Sequence, residues 1–275
     1  MTDSNPDELT FHRIHLPTVV AMACVAYASA VALHELGHAL AGYAVGGRPT
    51  LISSTDVRGD WGDVGALDFV LLGVSGSLVN WLLAILGIVW HRRSGDSSRA
   101  RVFPWLLSSV NGFLAATYMI ASPLFGFGDW MTVLRRFEPQ LILRVFVVVI
   151  GANVTLAWFG LVAKWLGHIV AAVPESQRVE VAGRLVRTVW LTGGAVTGAA
   201  ALWSPTGVPR ALLLAVLSSM GATFLMLPAA RLAKSARWAN ATTAWNGVGP
   251  NLAWIGIGLL SAAIFIFLFG PGIEL

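Results

Sequence analysis

Residues 31–42 read VALHELGHALAG, two histidines and a glutamate set among apolar residues. It lies inside an apolar run over 16–45, long enough to cross a hydrocarbon core of about 30 Å as a helix. Two histidines and a glutamate in such a run are expensive, on the order of 2.5–3.5 kcal/mol for a charge at the helix centre. Neighbouring helices must therefore hide them from lipid, and a bound partner must repay their burial.

The rest of the chain agrees with a membrane setting. It has 275 residues, 56% hydrophobic and 12% charged, with a mean hydropathy of +0.72, a mix unlike that of a soluble domain. Further apolar runs at 67–90, 102–125, 141–167, 185–203, 208–230 and 251–270 bring the expected number of spans to about seven, or six without the run at 185–203. Each should be a helix, because an apolar segment in lipid can satisfy its backbone only that way. The expected fold is all-α, a polytopic transmembrane helix bundle. Prolines such as Pro17, Pro104, Pro123, Pro139 and Pro205 punctuate the run edges, and Trp61, Trp90, Trp105, Trp130, Trp203 and Trp238 lie near run ends as an interfacial belt would.

Three regions follow: a polar tail over 1–15, a motif-bearing core over 16–135, and additional helices over 136–275 that scaffold the core or gate access to it. The connection over 46–66 mixes β-branched residues with Gly-Asp pairs at 59–60 and 62–63. It predicts a small hairpin or re-entrant strand, or else a solvated acidic loop.

The net charge of +4 and pI near 9.8 do not indicate nucleic acid, because the basic residues sit in short clusters between apolar runs. The tail, 91–101, 164–187 and 231–237 together hold 12 of the 18 basic residues. The positive-inside rule puts these segments in the cytoplasm and the 46–66 loop outside. The lone cysteine, Cys24, excludes an intrachain disulfide and any cysteine-based metal cluster. An integral, multi-pass protein of a prokaryotic plasma membrane is expected, with the bilayer as its surroundings.

His34-Glu35-Leu36-Gly37-His38 fits H-E-x-x-H. Histidines at i and i+4 share one helix face, so both imidazoles can hold one tetrahedral Zn²⁺, and Glu35 can serve as general base toward a water at the open position. With six His and six Glu in the chain, the pattern arises by chance in roughly 0.3% of shuffles. A third ligand is required. The acidic residues at 56, 60, 63 and 68 follow the motif, but Asp129 stands out in SPLFGFGDW (122–130), a Gly- and Pro-broken apolar stretch at the end of the third run. Irregular backbone at membrane depth is tolerated where it lines a cavity. Two in-to-out spans also bring the later half of the first and the end of the third toward one membrane face. The alternative is a solvated aspartate at the interface beside Trp130.

The sequence resembles the site-2 protease family of intramembrane zinc metalloproteases. The likeness rests on His34–His38 in a span, on Gly76-Ser77-Leu78-Val79-Asn80 in the next, and on the Pro123–Asp129 stretch, and covers residues 16–135. Ser77 stands where the family has proline, Trp130 where it has glycine, and Ala121 where it has asparagine. The resemblance implies one zinc bound by His34, His38 and Asp129, Glu35 as catalytic base, and Asn80 as a substrate-positioning group. It also implies a transmembrane protein or peptide as substrate. Asn80 could equally make an interhelical hydrogen bond. A second class of function, a non-proteolytic zinc-binding regulator or transporter, fits the motif too. Transporters, however, spread polar groups along a route, whereas here they cluster in the first half. Asn111 and Asn153 are expected to bond between helices, and Gly194 and Gly198 to pack helices together.

Overall fold

The structure is a computed structural model that describes residues 14–94, 98–171, 173–233 and 247–275. Most of the expected polar tail, and the basic residues at 234 and 237, lie outside the described residues. Helix α1 (Leu16–Ala44) leads into strands β1 (Arg48–Ile52) and β2 (Val57–Asp60), followed by α2 (Ala66–Arg93), α3 (Ser98–Phe125) and the short α4 (Asp129–Leu134). Then come α5 (Gln140–Ile169), α6 (Glu175–Ala201), α7 (Val208–Ala215), α8 (Met226–Leu232), α9 (Leu252–Ile264) and β3 (Ile273–Glu274). A π-helical segment, Val216–Gly221, continues α7, and another, Phe265–Phe269, continues α9. Helices make up 77% of the structure, so the helix-bundle expectation holds.

Among the described residues, five helical stretches, rather than about seven, are both long and apolar enough to cross a membrane: Leu16–Ala44, Ala66–Arg93, Gln140–Ile169, Val208–Leu232 and Leu252–Phe269. The other two expected spans are helices of 28 and 27 residues, α3 and α6, with a more polar composition. For α3 the reason is position. Residues 102–116 are buried throughout, and a helix enclosed by other helices needs no lipid-facing stripe. Its Ser108 hydroxyl donates to the Ala84 carbonyl of α2 at 3.0 Å, and its Trp105 indole donates to the Val162 carbonyl of α5 at 3.3 Å. In α6 the first three turns carry Glu175, Arg178, Glu180 and Arg184. Arg187 follows one turn on, and the uncharged remainder from 188 to 201 is about 21 Å long at 1.5 Å per residue, short of the hydrocarbon thickness.

The core gathers around α1, which packs against α2, α3, α6 and α9. Tyr27 and Met22 of α1, Trp105 and Phe113 of α3, and Leu166 of α5 are among its largest fully buried side chains. The Tyr27 hydroxyl meets Thr223 Oγ1 at 2.7 Å. Of the two glycines expected to pack helices, Gly194 does so under Met220, while no heavy atom lies near enough to Gly198 to touch an added Cβ. Among the described residues, Asn111 and Asn153 do not bond between helices. Each amide donates to the carbonyl four residues earlier in its own helix, Leu107 and Val149, both at 2.8 Å. Such back-bonding is within easy reach of a short polar side chain on a helix.

The 46–66 connection forms a hairpin. β1 pairs antiparallel with β2, Arg48 opposite Asp60 and Ile52 opposite Val57, with an irregularity between Pro49 and Leu51. The turn is not at either Gly-Asp pair but at 53–56, where Ser53 donates its hydroxyl to the Asp56 carboxylate at 2.6 Å and its amide to the Asp56 carbonyl at 2.9 Å. A third strand comes from the far end of the chain: β3 pairs antiparallel with β1, giving the order β2-β1-β3.

Candidate metal centre

The site forms where the later half of α1, the middle of α2, the end of α3 and the start of α4 converge. His34 and His38 project from one face of α1, as their spacing requires. Asp129 opens α4, preceded by Gly128 in a left-handed conformation, φ 82°. That turn lets the chain reverse out of α3 and present the carboxylate to the two imidazoles.

One carboxylate oxygen, Asp129 Oδ2, lies 3.1 Å from His34 Nε2 and 3.0 Å from His38 Nε2, and the two Nε2 atoms are 3.2 Å apart. Among the described residues this is the one group of three or more potential ligands close enough to hold a metal ion. Asp56, Asp60, Asp63 and Asp68 do not join it. The spacing fits a metal. Ligand bonds of 2.0–2.1 Å in tetrahedral geometry place donor atoms about 3.3 Å apart, so the three need to spread by only a few tenths of an ångström. Asp129 brings a carboxylate oxygen to two imidazole nitrogens, a donor set that suits a cation.

His38 is oriented by groups that the sequence did not flag. Its Nδ1–H donates to the Leu72 carbonyl at 2.7 Å, and the Ser75 hydroxyl, itself donating to Leu72, stands 3.1 Å from the same nitrogen. Fixing the proton on Nδ1 leaves the Nε2 lone pair free to face the centre, a common arrangement around metal-bound histidines. Asp129 is fixed through its backbone. Ser122 accepts from the Met131 amide at 2.9 Å and donates to the Phe127 carbonyl at 2.6 Å. The guanidinium groups of Arg135 and Arg144 donate to the carbonyls of Gly126 and Pro123. The broken Pro123–Asp129 backbone therefore finds its partners inside the protein, as membrane depth demands.

Glu35 is buried at 8% exposure and lines two cavities that meet at the site. The outer cleft, about 670 Å³, is bounded by His38, Asp129, the hairpin residues Asp56 and Val57, Trp61 and Arg210, a size usual for ligand-binding clefts. The inner cavity, about 90 Å³, runs past Asn80 between α3 and the π-helical segment. Asn80 is 1% exposed, and among the described residues its side chain makes no hydrogen bond. The interhelical bond considered for it is not formed. Tyr118, which carries no motif and reads as an ordinary aromatic of a span, lines both cavities. Its ring meets His34 edge-on, centroids 6.1 Å apart, and its hydroxyl accepts from the Asp129 amide at 3.4 Å.

Compared with known proteins, the chain matches no family model, no curated protein and no solved structure. The arrangement itself is two imidazoles and a carboxylate around one point, a second carboxylate beside them, and a cleft leading in. Such a site can bind a cation and hold a general base next to it.

Proposed function

We propose that the chain is an intramembrane zinc metalloprotease, hydrolysing peptide bonds of membrane-embedded or membrane-proximal substrates in the manner its resemblance to site-2 proteases implies. The observation that carries this reading is the meeting of His34, His38 and Asp129, from helices about 90 residues apart in sequence, with Glu35 at the same cavity junction. Two imidazole nitrogens and one carboxylate oxygen favour zinc over magnesium or calcium, which prefer all-oxygen sites. Three protein ligands also leave a position open, as catalytic zinc sites do.

Zinc bound there would supply Lewis acidity, polarising the scissile carbonyl and making water acidic near neutral pH. The chain's own residues do the rest. Glu35 takes the proton from the attacking water and returns it to the departing amine. His38 is held in the right tautomer by Leu72 and Ser75, and Asn80 positions the substrate backbone from the inner cavity. The substrate, a transmembrane protein or peptide, must unwind locally to bring an extended segment into the outer cleft. In this reading α3 and α6 also cross the bilayer, the α6 arginines reaching back toward the headgroups, giving seven spans in a plasma membrane, with residues 16–135 as catalytic core and 136–275 as scaffold or gate.

The test is zinc analysis and peptide cleavage on the purified protein in detergent. One zinc per chain is expected, retained in Glu35→Gln while cleavage is lost. A wild type without zinc, or a Glu35→Gln variant cleaving at the wild-type rate, overturns the proposal.

A further inference from the structure

We propose that Tyr118 is a further catalytic residue, its hydroxyl donating a hydrogen bond to the scissile carbonyl oxygen as negative charge builds there. This role rests on the proteolytic reading and adds a group that the sequence motifs do not contain.

Six residues line both the outer cleft and the inner cavity: His34, Glu35, Thr55, Tyr118, Phe127 and Leu214. A peptide carbonyl placed between the metal centre and Glu35 lies close to that junction. Of the six, Phe127 and Leu214 have no polar side-chain atom. His34 turns its Nε2 toward Asp129 and His38, and Glu35 is committed to the proton of water. Thr55 is engaged elsewhere, its hydroxyl 2.9 Å from Ser204 Oγ and 3.4 Å from Thr206 Oγ1. Tyr118 is different. Its oxygen accepts from the Asp129 amide at 3.4 Å, and among the described residues no group accepts its proton. A phenol can accept and donate at once, so this O–H is an uncommitted donor at the place where charge develops.

Two features hold it there. The edge-on contact with His34, centroids 6.1 Å apart and planes at 69°, fixes the ring. The hydroxyl also occupies the space beside Gly128 that any side chain at that position would take. A donor placed in advance, in a site shielded from water, stabilises an oxyanion without reorganisation.

The step balances without any other reactant. Water oxygen bonds to the carbonyl carbon, the C=O π pair moves onto oxygen, and Glu35 takes the water proton. Tyr118 keeps its own proton throughout and only shares it. When the C=O bond re-forms, the C–N bond breaks and Glu35 passes its proton to the amine.

The test is Tyr118→Phe, which keeps the ring against His34 and deletes only the O–H. The probes are a pool of synthetic single-span peptides with Gly-Pro at mid-span, read by mass spectrometry, and the phosphinic analogue of the best-cleaved peptide. The expected result is kcat lower by roughly 10²-fold, with KM, bound zinc and Tm unchanged. The phosphinic analogue, which mimics the tetrahedral oxyanion, should bind more weakly by a similar factor, whereas the uncleavable ground-state peptide should not. A variant that cleaves at the wild-type rate, or one that instead loses zinc or Tm because Tyr118 merely props Asp129, overturns the role alone. A wild type that binds zinc and cleaves none of the pool overturns the proteolytic reading and this role with it.

Discussion

Gly76 faces His38 across the α1–α2 interface so closely that a Cβ built on it would lie 2.5 Å from His38 Nε2, and 2.6 Å from His34 Nε2. The absent side chain leaves the room in which both ligand nitrogens converge. Gly76→Ala should therefore weaken metal binding while leaving α2 helical, since alanine is the better helix former by about 1 kcal/mol. Isothermal titration with Zn²⁺ should give an affinity at least tenfold lower, with circular dichroism unchanged. Wild-type affinity in this variant would mean that the histidines converge elsewhere.

Metal binding should also register as stability. A ligand that binds only the folded state adds about 2.7 kcal/mol at a hundred times its Kd, so Zn²⁺ should raise the Tm of the wild type. His38→Ala and Asp129→Ala each remove one of the three converging donors and should abolish that increment. Asp56→Ala, on the hairpin rim, should keep it. A shift that survives in Asp129→Ala would place the third ligand outside the triad.

Gly128 combines φ 82° with ψ −174°, a region essentially closed to residues with a Cβ, and its missing side chain makes way for the Tyr118 hydroxyl. Gly128→Ala should cost about 1–3 kcal/mol and swing Asp129 away from the histidines. The predicted signature is a lower Tm together with loss of the zinc-induced rise. Gly126→Ala meets no neighbour. With φ 76° it should show backbone strain alone, so its Tm should fall while zinc still raises it.

These positions show what the sequence made legible and what it did not. His34 and His38 could be read because a helix turns a fixed spacing into a shared face, and Glu35 because a carboxylate beside them in an apolar run needs a reason. Asp129 could be read because acidic residues are rare in a chain this apolar and a broken backbone needs a reason. The three-stranded sheet could be read only in part. Ser53 and Asp56 close the hairpin with side-chain hydrogen bonds, whereas the Gly-Asp pairs had suggested a turn farther on. The pairing of Ile273 with Ile52 depends on β3, a strand of two residues and too short to show any periodicity. Tyr118, Ser75 and Gly76 act through position, and nothing in a tyrosine, serine or glycine within an apolar run distinguishes such a role from packing. Among the described residues, length and composition single out five of the expected spans for a related reason: α3 is more polar because it is enclosed, and composition alone does not reveal what surrounds a helix.

The π-helical segment beside the inner cavity depends on a hydrogen-bond chain that begins on the motif helix, about two turns before His34. Thr223 donates to the Ser219 carbonyl at 2.6 Å, so the Tyr27 hydroxyl must be the donor in its 2.7 Å bond to Thr223. Ser219 in turn accepts from Thr197 at 2.8 Å and donates to the Ala215 carbonyl at 2.5 Å. Leu217 and Ser218, on the same segment, line the inner cavity, so these hydrogen bonds link α1 to the cavity wall without touching His34, His38 or Asp129. Tyr27→Phe keeps the ring, which fills the space against Gly193, and removes only the donor. It should cost about 0.6–1.7 kcal/mol, the usual range for hydrogen bonds between membrane helices, seen as a lower Tm. Zinc stoichiometry should stay at the wild-type value, because the triad is untouched. An unchanged Tm would show that the hydroxyl network contributes nothing beyond packing, and a loss of zinc would show that the π-helical segment supports the metal centre as well as the cavity wall.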